Sequence, residues 1–316
     1  MKNNQKILIT GADGFIGSHL TEYLVRCGYK VKAMCMYNSF NSWGWLDSID
    51  KKIIQDIDIV LGDVRDPKSV DNATKGIDTV LHLASLIAIP HSYHSPHSYL
   101  STNISGTLNI MESCLNNNVS TIIHTSTSEV YGDTHKMPIS ETNMQYAKSP
   151  YAATKIGADQ IAQSYYSSFD LPVTIIRPFN TYGPRHTYDV IPKFIKMAIN
   201  NDNITIHGDG KQSRDLTYIS DAVNAFLLVA EKKQCLKKVI NFGTGKDYTI
   251  NFLAKEIKKI SQSKSKIVYI LKRKSEVQRL TCDARFCMSL GWKHKIDINN
   301  GLKLNIEWAL RNWKKK

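Results

Sequence analysis

The sequence predicts an α/β protein built on a doubly wound parallel sheet, and two features of its apolar pattern support this fold class. Apolar runs of strand length alternate with longer segments in which apolar residues recur at helical spacing. Strands separated by helices pair in parallel through right-handed crossovers, which produces such a sheet. After about residue 178 the elements become shorter and mixed. We therefore predict a first domain over residues 1–177, to which later segments return, and a smaller, interleaved C-terminal α/β domain, mainly for substrate, over residues 178–316.

Six strands and three helices are predicted in the first domain. The strands cover Lys6–Thr10, Tyr29–Met36, Ile57–Leu61, Thr79–Leu83, Thr121–Ser126 and Pro172–Ile176. The helices cover Phe15–Cys27, Ser98–Asn116 and Tyr151–Phe169. Each strand is a short apolar run, and the first helix places Ile16, Leu20 and Leu24 on one face, as an amphipathic helix requires.

The composition is that of an ordinary globular protein and excludes several function classes. The chain has 316 residues, of which 42% are hydrophobic and 22% charged, and it contains no apolar run of membrane-spanning length. No apolar leader precedes the first strand, so we expect a cytoplasmic protein. The six cysteines are scattered without a CxxC pair, which predicts free thiols and no metal site. The net charge of +13 suits an anionic partner, but no nucleic-acid motif accompanies it.

A glycine-rich segment, TGADGFIG at residues 10–17, joins the first strand to the first helix. Gly11 suits the turn, Gly14 lets backbone N–H groups approach a pyrophosphate, and Gly17 lets the helix pack close to the sheet. This context predicts a Rossmann-type domain that binds NAD or NADP. The predicted cofactor contacts on this segment and after later strands are Gly11, Asp13, Gly14, Phe15, Ile16, Gly17, Asp63, Val64, Leu83 and Ala84.

The end of the second strand leaves the choice between NAD and NADP open. A Rossmann domain usually has an acidic residue there that binds the adenosine ribose. Residues 33–39 read AMCMYNS, with neither that acid nor an arginine for a 2′-phosphate. Asp63, which follows the third strand, is a candidate contact for the adenine end.

A second group of residues predicts acid–base chemistry. Tyr151 and Lys155 are four residues apart and share one helical face. We expect the ammonium of Lys155 to lower the pKa of Tyr151 from about 10 toward neutrality, so that Tyr151 acts as a base and Lys155 also reaches the nicotinamide ribose. Thr127 follows the fifth strand and can hydrogen-bond the hydroxyl that is oxidised. Glu129 adds a carboxylate, which indicates proton transfer at a second carbon.

Further motifs occur in order along nearly the whole chain. They are GDVRD (62–66), HLAS (82–85), NISGTLNIMES (103–113), STSEVYG (126–132), YAATK (151–155), RPFNTYGPR (177–185), GDGKQSRDLTYISDAV (208–223) and EVQRLTCDARFCMSLGW (276–292). With TGADGFIG, this series resembles the nucleotide-sugar epimerases and dehydratases of the extended short-chain dehydrogenase/reductase family. The resemblance implies NAD(P), a nucleotide-diphosphate sugar as substrate, and substrate contacts at Asn180, Arg185, Lys193, Arg214 and Arg273. Arginine forks suit phosphate oxygens.

The subfamily and mechanism also rest on resemblance. Residues 37–47, YNSFNSWGWLD, resemble the 4,6-dehydratases of legionaminic acid-type pathways, which act on nucleotide-activated N-acetylglucosamine. We then expect Tyr151, Thr127 and Lys155 to serve oxidation at C4. Glu129 is expected to remove the C5 proton, and Ser128 or a water it positions to protonate the departing C6 hydroxyl, before the reduced nicotinamide returns hydride to C6.

Three other functions stay open. The string STSEVYG also occurs in UDP-glucuronate decarboxylases, and a C4-epimerase would not need Glu129. An inactive cofactor-binding regulator would be expected to have lost Tyr151 or Lys155. The resemblance further implies a homodimer formed by the helices at 98–116 and 151–169, although their apolar side chains fit a protein core equally well. Those side chains are Ile104, Leu108, Met111, Ile156 and Ile161.

Overall fold

A computed structural model of the chain describes residues 5–273 and 276–313. In chain order, the strands are β1 (Lys6–Thr10), β2 (Lys30–Met36), β3 (Ile57–Gly62), β4 (Thr79–His82), β5 (Thr121–Thr125), β6 (Val173–Pro178), β7 (Asn180–Tyr182), β8 (Ile204–His207), β9 (Ser213–Tyr218), β10 (Val239–Phe242), β11 (Asp247–Thr249), β12 (Ile267–Ile270) and β13 (Arg279–Leu280). The α-helices are α1 (Phe15–Arg26), α2 (Lys51–Ile54), α3 (Pro67–Thr74), α4 (Ile89–Ser92), α5 (Pro96–Tyr99), α6 (Gly106–Asn116), α7 (Pro150–Phe169), α8 (Val190–Asn200), α9 (Ile219–Glu231), α10 (Ile250–Ile260), α11 (Arg285–Ser289) and α12 (Ile298–Asn312).

These elements form two units, each made of several chain segments. The first unit contains the described residues up to Val130 together with Ser149–Arg177 and Val223–Ile240. The second contains Tyr131–Lys148, Pro178–Ala222 and the described residues from Asn241 onward. The chain thus crosses from the first to the second unit at residues 177 and 178, and residues 131–148 lie in the second unit although they precede that point.

The first unit is built on a seven-stranded sheet in the order β10-β6-β5-β4-β1-β2-β3. The strands from β3 through β1 to β6 pair in parallel. The chain winds outward from β1 to β3 and then resumes at β4 on the other side of β1, so the strand order reverses between β1 and β4. The predicted doubly wound α/β class is confirmed, and each of the six predicted strands is present with ends shifted by at most two residues.

The core of the first unit lies where the sheet meets helices α3 and α6. Leu8, Val80 and Ile122 project from three adjacent strands and are fully buried, as are Ile110 and Met111 of α6. Burial of apolar side chains of this size stabilises the fold by about 1.5–3 kcal/mol each. This packing holds the strands in register and thereby sets the positions of the loops at their carboxyl ends.

One predicted helix has an irregular form. The predicted helix over 98–116 begins two residues earlier, at Pro96, and between α5 and α6 it contains a π-helical segment, Leu100–Ser105. The wider turn buries the side chain of Asn103, which hydrogen-bonds to the loop after β4. π-Helical turns inside α-helices are often found at functional sites.

The second unit contains two smaller sheets. Strand β9 lies between β11 and β13, which pair with its first half, and β7 pairs in parallel with its second half. Strands β8 and β12 form a separate parallel pair. This arrangement places β7, which begins with Asn180, beside β9, which carries Arg214.

Candidate active site

The glycine-rich segment forms the turn between β1 and α1 at the point where the strand order reverses. Gly11 has φ of +70°, and a Cβ there would lie 2.8 Å from the backbone nitrogen of Ala84. A Cβ on Gly17 would lie only 2.1 Å from the carbonyl oxygen of Gly11. Neither position accepts a side chain, so the two glycines allow backbone contacts that shape this turn. Crevices at such reversal points are the usual ligand sites of open α/β sheets.

Hydrogen bonds around Thr10 join the ends of β1 and β4. The Thr10 hydroxyl accepts hydrogen bonds from the backbone N–H groups of Leu83 and Ala84, both at 3.2 Å. It also contacts Nδ1 of the buried His82 at 2.8 Å. The two strand ends are therefore held together beside Gly11, and the predicted contacts Leu83 and Ala84 lie next to the glycine turn.

The other predicted cofactor residues are distributed around the same edge of the sheet. Phe15 and Ile16 occupy the first turn of α1, which has Gly14 at its N-cap. Asp63 and Val64 follow β3, where Val64 is buried. The carboxylate of Asp63 accepts a forked pair of hydrogen bonds from Arg65, and this guanidinium holds the pKa of Asp63 below its ordinary value. Asp63 is thus already engaged by a cation.

Tyr151 and Lys155 are positioned by the start of α7. Ser149 caps this helix by accepting a hydrogen bond from Ala152 N–H at 3.1 Å, and Pro150 occupies its first turn. Tyr151 is therefore in the first turn and Lys155 one turn later, and both are buried. The helix carries both residues on the face that meets the end of β5.

The turn after β5 supplies the other predicted catalytic residues. Thr127 precedes a 3₁₀ turn, Ser128–Tyr131, that contains Ser128 and Glu129. The Thr127 hydroxyl accepts a hydrogen bond from Glu129 N–H at 3.2 Å, and the side chains of Thr127 and Tyr151 are hydrogen-bonded. Ser128 is buried. All five predicted catalytic residues lie in the first unit, and two of them, Thr127 and Glu129, act directly on the Tyr151 phenol.

The protonation of Tyr151 differs from the sequence-based prediction. Burial raises the pKa of Tyr151 above its ordinary value, the hydrogen bond with Thr127 lowers it, and the charge of Glu129 raises it again. The expectation that Lys155 brings this pKa toward neutrality was therefore wrong. The physical reason is desolvation, which disfavours the phenolate and is not visible in a YxxxK spacing.

Burial also changes the pKa of Lys155. Desolvation lowers the pKa of Lys155 to about 8, against an opposing effect of the Asp159 carboxylate. Its ammonium donates a hydrogen bond to the Thr125 carbonyl oxygen at 2.5 Å. Lys155 is thus oriented by the last residue of β5 and changes its charge close to neutral pH.

Sequence reasoning missed a buried polar cluster behind Lys155. Asp159 accepts hydrogen bonds from Ser126 at 2.9 Å and from Nη2 of Arg177 at 2.8 Å, and it lies 3.3 Å from the His124 ring. Burial by itself would raise the pKa of Asp159, but the hydrogen bonds and the charge of Arg177 lower it below its ordinary value. The available signal was the placement of Asp159 four residues after Lys155, on the same helical face.

Asn103 was also missed as a positioning residue. Its side-chain oxygen accepts the Leu86 N–H at 2.8 Å, and its amide donates to the Leu86 carbonyl oxygen at 2.9 Å. The same amide donates to the Thr154 hydroxyl at 3.0 Å, and Thr154 in turn donates to the Tyr151 carbonyl oxygen. Asn103 therefore links the loop after β4 to the helix that carries Tyr151.

The second unit brings Asn180 and Arg214 onto one small sheet. Asn180 pairs with Leu216, and Arg214 lies two residues before Leu216 on β9, so Asn180 and Arg214 share a face. The buried side-chain oxygen of Asn180 has no hydrogen-bond partner in the described part of the chain. Such an orphaned acceptor is expected where a ligand completes the site.

The remaining predicted substrate residues are less closely associated with this sheet. Lys193 is exposed on α8, where partial burial and the nearby charge of Arg273 lower its pKa. Arg273 is exposed beyond β12. Arg185 adopts φ of +68° in the loop after β7. Lys193 and Arg273 thus form a second cationic area within the second unit.

The described residues, 5–273 and 276–313, have three further general features. None of the helices in these residues is long and apolar enough to cross a membrane. No cluster of three or more metal-ligating side chains occurs in the ranges 5–273 and 276–313. The six cysteines are free thiols, and Cys27 alone among them is exposed.

Fold and site together define an extended short-chain dehydrogenase/reductase of the nucleotide-sugar epimerase and dehydratase class, as the sequence motifs predicted. A family model described as GDP-mannose 4,6 dehydratase matches residues 8–304. The chain belongs to this family.

Two curated relatives illustrate the range of similar proteins. The chain is 31% identical to dTDP-D-glucose 4,6-dehydratase of Homo sapiens, over 98% of the chain and 92% of the human protein. It is 32% identical to a trifunctional UDP-glucose 4,6-dehydratase/UDP-4-keto-6-deoxy-D-glucose 3,5-epimerase/UDP-4-keto-L-rhamnose-reductase of Arabidopsis thaliana, over 98% of the chain but 47% of that protein. The chain thus spans about half the length of the trifunctional plant proteins that it matches.

Solved structures with this fold include epimerases. UDP-glucose 4-epimerase from Thermotoga maritima, determined with UDP-glucose, superposes with a TM-score of 0.91 at 29% identity, over 98% of this chain and 100% of that one. UDP-glucuronic acid 4-epimerase from Bacillus cereus, in complex with UDP-glucuronic acid and NAD, has a TM-score of 0.89 at 27% identity over the same shares. Similar proteins thus include both dehydratases and epimerases.

Proposed function

We propose that this protein is an NAD-dependent nucleotide-sugar 4,6-dehydratase, a lyase that converts a nucleotide-activated hexose to its 4-keto-6-deoxy form. The proposed sugar is N-acetylglucosamine, which rests on the resemblance of residues 37–47. The first unit would hold the cofactor. The proposed contacts to the nucleotide diphosphate are Asn180 and Arg214, which share one sheet face, with Lys193 and Arg273 as further cations.

The β1–α1 turn supports NAD as the cofactor. A Cβ at Gly11 or Gly17 would fill the space around this turn, and the N-terminus of α1 favours a pyrophosphate group. Gly11, Gly14 and Gly17 would hold that pyrophosphate, and Tyr151 and Lys155 the nicotinamide end. When bound, NAD⁺ supplies the oxidant for C4, the reductant that later serves C6, and a positive charge that favours the Tyr151 phenolate.

The observation that carries the proposal is the position of Glu129. Its carboxylate raises the pKa of Tyr151, so it opposes the base that C4 oxidation requires. An enzyme that only oxidises and re-reduces C4 would be better served by a neutral residue here. If Glu129 also accepts a proton from C5, its carboxylate takes part in catalysis. That contribution offsets its unfavourable effect on the pKa of Tyr151.

The chain's own groups can then carry each proton. Tyr151, hydrogen-bonded to Thr127, takes the proton of the C4 hydroxyl, and Lys155 stabilises the phenolate. The C4 carbonyl acidifies the C5 hydrogen, which Glu129 removes. The C6 hydroxyl leaves as water when it receives a proton, and Ser128 lies in the same turn as Glu129 to donate it or to position the donor. When C6 is then reduced, C5 takes back a proton, so that one water is lost overall.

A mass-spectrometric screen tests the proposed reaction. The protein, with NAD⁺ and then NADP⁺, is given UDP-GlcNAc, GDP-GlcNAc, UDP-glucuronate, dTDP-glucose and GDP-mannose. Loss of one water from an N-acetylglucosamine nucleotide supports the proposal and names the nucleotide. Loss of carbon dioxide from UDP-glucuronate would replace it with a decarboxylase, and an unchanged mass with an altered C4 configuration would replace it with an epimerase.

Substitution of Glu129 by Gln tests the role of this residue. We expect turnover to fall by roughly 10²–10⁴, the usual contribution of one acid–base group, while absorbance at 340 nm still rises on adding substrate because C4 oxidation survives. The control is Glu22→Gln, which removes the same charge from an ion pair on the surface of α1. Near-normal turnover by Glu129→Gln would show that Glu129 does not remove the C5 proton.

A further inference from the structure

The segment after β2 folds back onto the glycine-rich turn. The side chain of Asn38 closes this segment by accepting a hydrogen bond from Phe40 N–H at 3.1 Å and donating one to the Ser42 carbonyl oxygen at 2.8 Å. Trp45 N–H then donates to the carbonyl oxygen of Asp13 at 3.0 Å. The segment is thereby tied to the loop between β1 and α1.

Asp13 reaches the carboxyl end of β2 from this loop. Its carboxylate accepts a hydrogen bond from Met36 N–H at 3.4 Å, and Met36 is the last residue of β2. A Rossmann domain normally places an acidic residue of β2 itself at this point to bind the adenosine ribose. The chain has Met36 there, and a carboxylate from the glycine-rich turn occupies the corresponding place.

Burial makes this carboxylate receptive to another donor. Desolvation raises the pKa of Asp13 above its ordinary value, although hydrogen bonds from its own N–H group and from Met36 lower it in part. A desolvated carboxylate gains from each further hydrogen bond that it accepts. The hydroxyl groups of a ribose are donors of this kind.

A second carboxylate reinforces the negative charge. Asp47 accepts hydrogen bonds from the Ser42 hydroxyl at 2.6 Å and from Trp43 N–H at 3.1 Å, which fix it within the same segment. Burial, together with the charges of Asp13 and Asp47, raises the pKa of the Cys35 thiol to about 12. The negative charges of both carboxylates are therefore close enough to influence the last residues of β2.

Basic side chains do not balance this charge within the segment itself. Residues 33–48 contain no lysine, arginine or histidine. Arg65, in the loop after the neighbouring strand β3, has its guanidinium in the fork of the Asp63 carboxylate. A dianionic 2′-phosphate would meet repulsion here, whereas a neutral 2′-hydroxyl would find an acceptor.

We propose that Asp13 takes the place of the missing acidic residue of β2 by accepting a hydrogen bond from the adenosine ribose, and that Asp13 and Asp47 together select NAD over NADP. This inference rests on the proposed function only in assuming that the first unit binds a dinucleotide. It assigns the choice of cofactor, which the end of β2 leaves open, to two residues outside that strand.

The test measures binding of the two cofactors to the purified protein in the absence of sugar. Isothermal titration gives the dissociation constants for NAD⁺ and NADP⁺, and their ratio is the readout. Wild type is expected to bind NAD⁺ at least about tenfold more tightly, the effect of ~1.4 kcal/mol of repulsion. Asp47→Asn should reduce that ratio mainly by tightening NADP⁺ binding. Asp13→Asn should reduce it and also weaken NAD⁺ binding.

The control is Asp58→Asn, which removes one exposed charge at the start of β3, away from the carboxyl edge of the sheet. Its ratio should equal that of wild type. Folding of every variant is checked by its thermal unfolding transition. If Asp13→Asn fails to fold, Asp13→Ser and the Asp47→Asn variant still report the ratio. A wild-type protein that binds both cofactors equally, or variants with the wild-type ratio, would overturn the proposal.

This measurement is independent of the reaction catalysed. If the ratio changes as expected but no sugar nucleotide loses water, the cofactor assignment stands and the dehydratase proposal falls. If a sugar nucleotide loses water but substitution of Asp13 or Asp47 leaves the ratio of dissociation constants unchanged, the dehydratase proposal stands and the cofactor assignment falls.

Discussion

Lys155 shows how one residue serves the site while lowering the stability of the fold. It is buried beside the end of β5, and desolvation lowers its pKa from 10.5 to about 8. Below pH 8 it is charged in the folded protein, where that charge is disfavoured relative to the unfolded chain. Between pH 8 and 10.5 the unfolded chain binds the proton and the folded chain does not, so the free energy of unfolding rises with pH.

Lys155→Met should therefore abolish catalysis and increase stability at neutral pH. The gain is expected to be greatest below pH 8 and to disappear above pH 10.5, where Lys155 is neutral in both states. Thermal unfolding of wild type and variant between these pH values measures it. Lys255→Met, at an exposed position of α10, serves as the control and should show no such pH-dependent difference. A variant less stable than wild type at pH 7 would contradict the expected cost of burying Lys155.

At the scale of elements, the junction of β1 and α1 depends on close backbone contacts. Gly17 lies in the first turns of α1, and its Cα hydrogens face the carbonyl oxygen of Gly11 and the backbone of Ala12. These are backbone atoms of a turn that is itself held against β4, so they have little room to move. The junction thus couples the position of α1 to the shape of the proposed pyrophosphate site.

Gly17→Ala should disrupt this junction. Its Cβ would lie 2.1 Å from the Gly11 carbonyl oxygen, and overpacking of this kind costs about 1–3 kcal/mol or more. We expect a reduced free energy of unfolding in urea and loss of NAD⁺ binding by titration. Gly28→Ala, after the other end of α1, meets no atom within 4 Å and should cost only the strain of its φ of +81° while leaving NAD⁺ binding intact. Equal effects of the two substitutions would argue against a special role of the β1–α1 turn.

A buried cluster of polar side chains joins β5, β6 and α7. Asp159 of α7 accepts hydrogen bonds from Ser126, directly after β5, and from Arg177 of β6, and all three side chains are buried. The ion pair is therefore closed to water, and loss of either residue removes the direct counterion of the other. Because Lys155 lies one turn before Asp159, this cluster also supports the catalytic helix.

Asp159→Asn should be strongly destabilising because it removes the carboxylate that faces the buried guanidinium of Arg177, at a cost of roughly 3–5 kcal/mol. The double variant Asp159→Leu with Arg177→Met should recover much of this loss in urea unfolding, since apolar pairs can replace buried ion pairs. In the single variant the pKa of Lys155 should fall further, because the Asp159 charge raises it. The pH at which activity declines would then shift downward. If the single and double variants were equally unstable, the ion pair would not be the cause.

At the scale of the whole molecule, we propose the homodimer that the family resemblance implies, with α6 and α7 at its interface. Met111, one of the five apolar residues considered for this interface, is fully buried in the core of the first unit, whereas Leu108 is 37% exposed and Leu100 is 50% exposed. Leu100 and Leu108 are therefore better candidates for an intermolecular contact.

Sedimentation velocity should give twice the mass of the chain for the wild type. The Leu100→Glu and Leu108→Glu double variant should sediment as a monomer, because two carboxylates would then have to be buried in the interface. Leu310→Glu, which places the same charge on an exposed position of α12, should remain a dimer. A monomeric wild type, or a double variant that stays dimeric, would remove this pair of helices from consideration.

Several features could be predicted because they depend on short spacings. The glycine triplet, the pair Tyr151 and Lys155, and the segment from Thr127 to Glu129 each lie within eight residues, and their positions at strand or helix ends follow from apolar periodicity. The start of a helix differs from the prediction where a capping residue determines it. Ser149 caps α7, which therefore begins at Pro150 and not at Tyr151 as predicted. The π-helical segment could not be predicted, since it depends on the contact between Asn103 and Leu86.

The sequence by itself thus determined the fold class, the family and the main candidate residues, because local spacing and the order of the motifs are sufficient to predict each of them. Tertiary structure decided the electrostatic state of those residues and their more distant partners. Burial, which no local spacing reports, raises the pKa of Tyr151 and lowers that of Lys155. Parallel pairing brings Arg177 to Asp159, and the turn after β1 brings Asp13 to the end of β2. Charges interact through space, so such effects are settled only when the chain is folded.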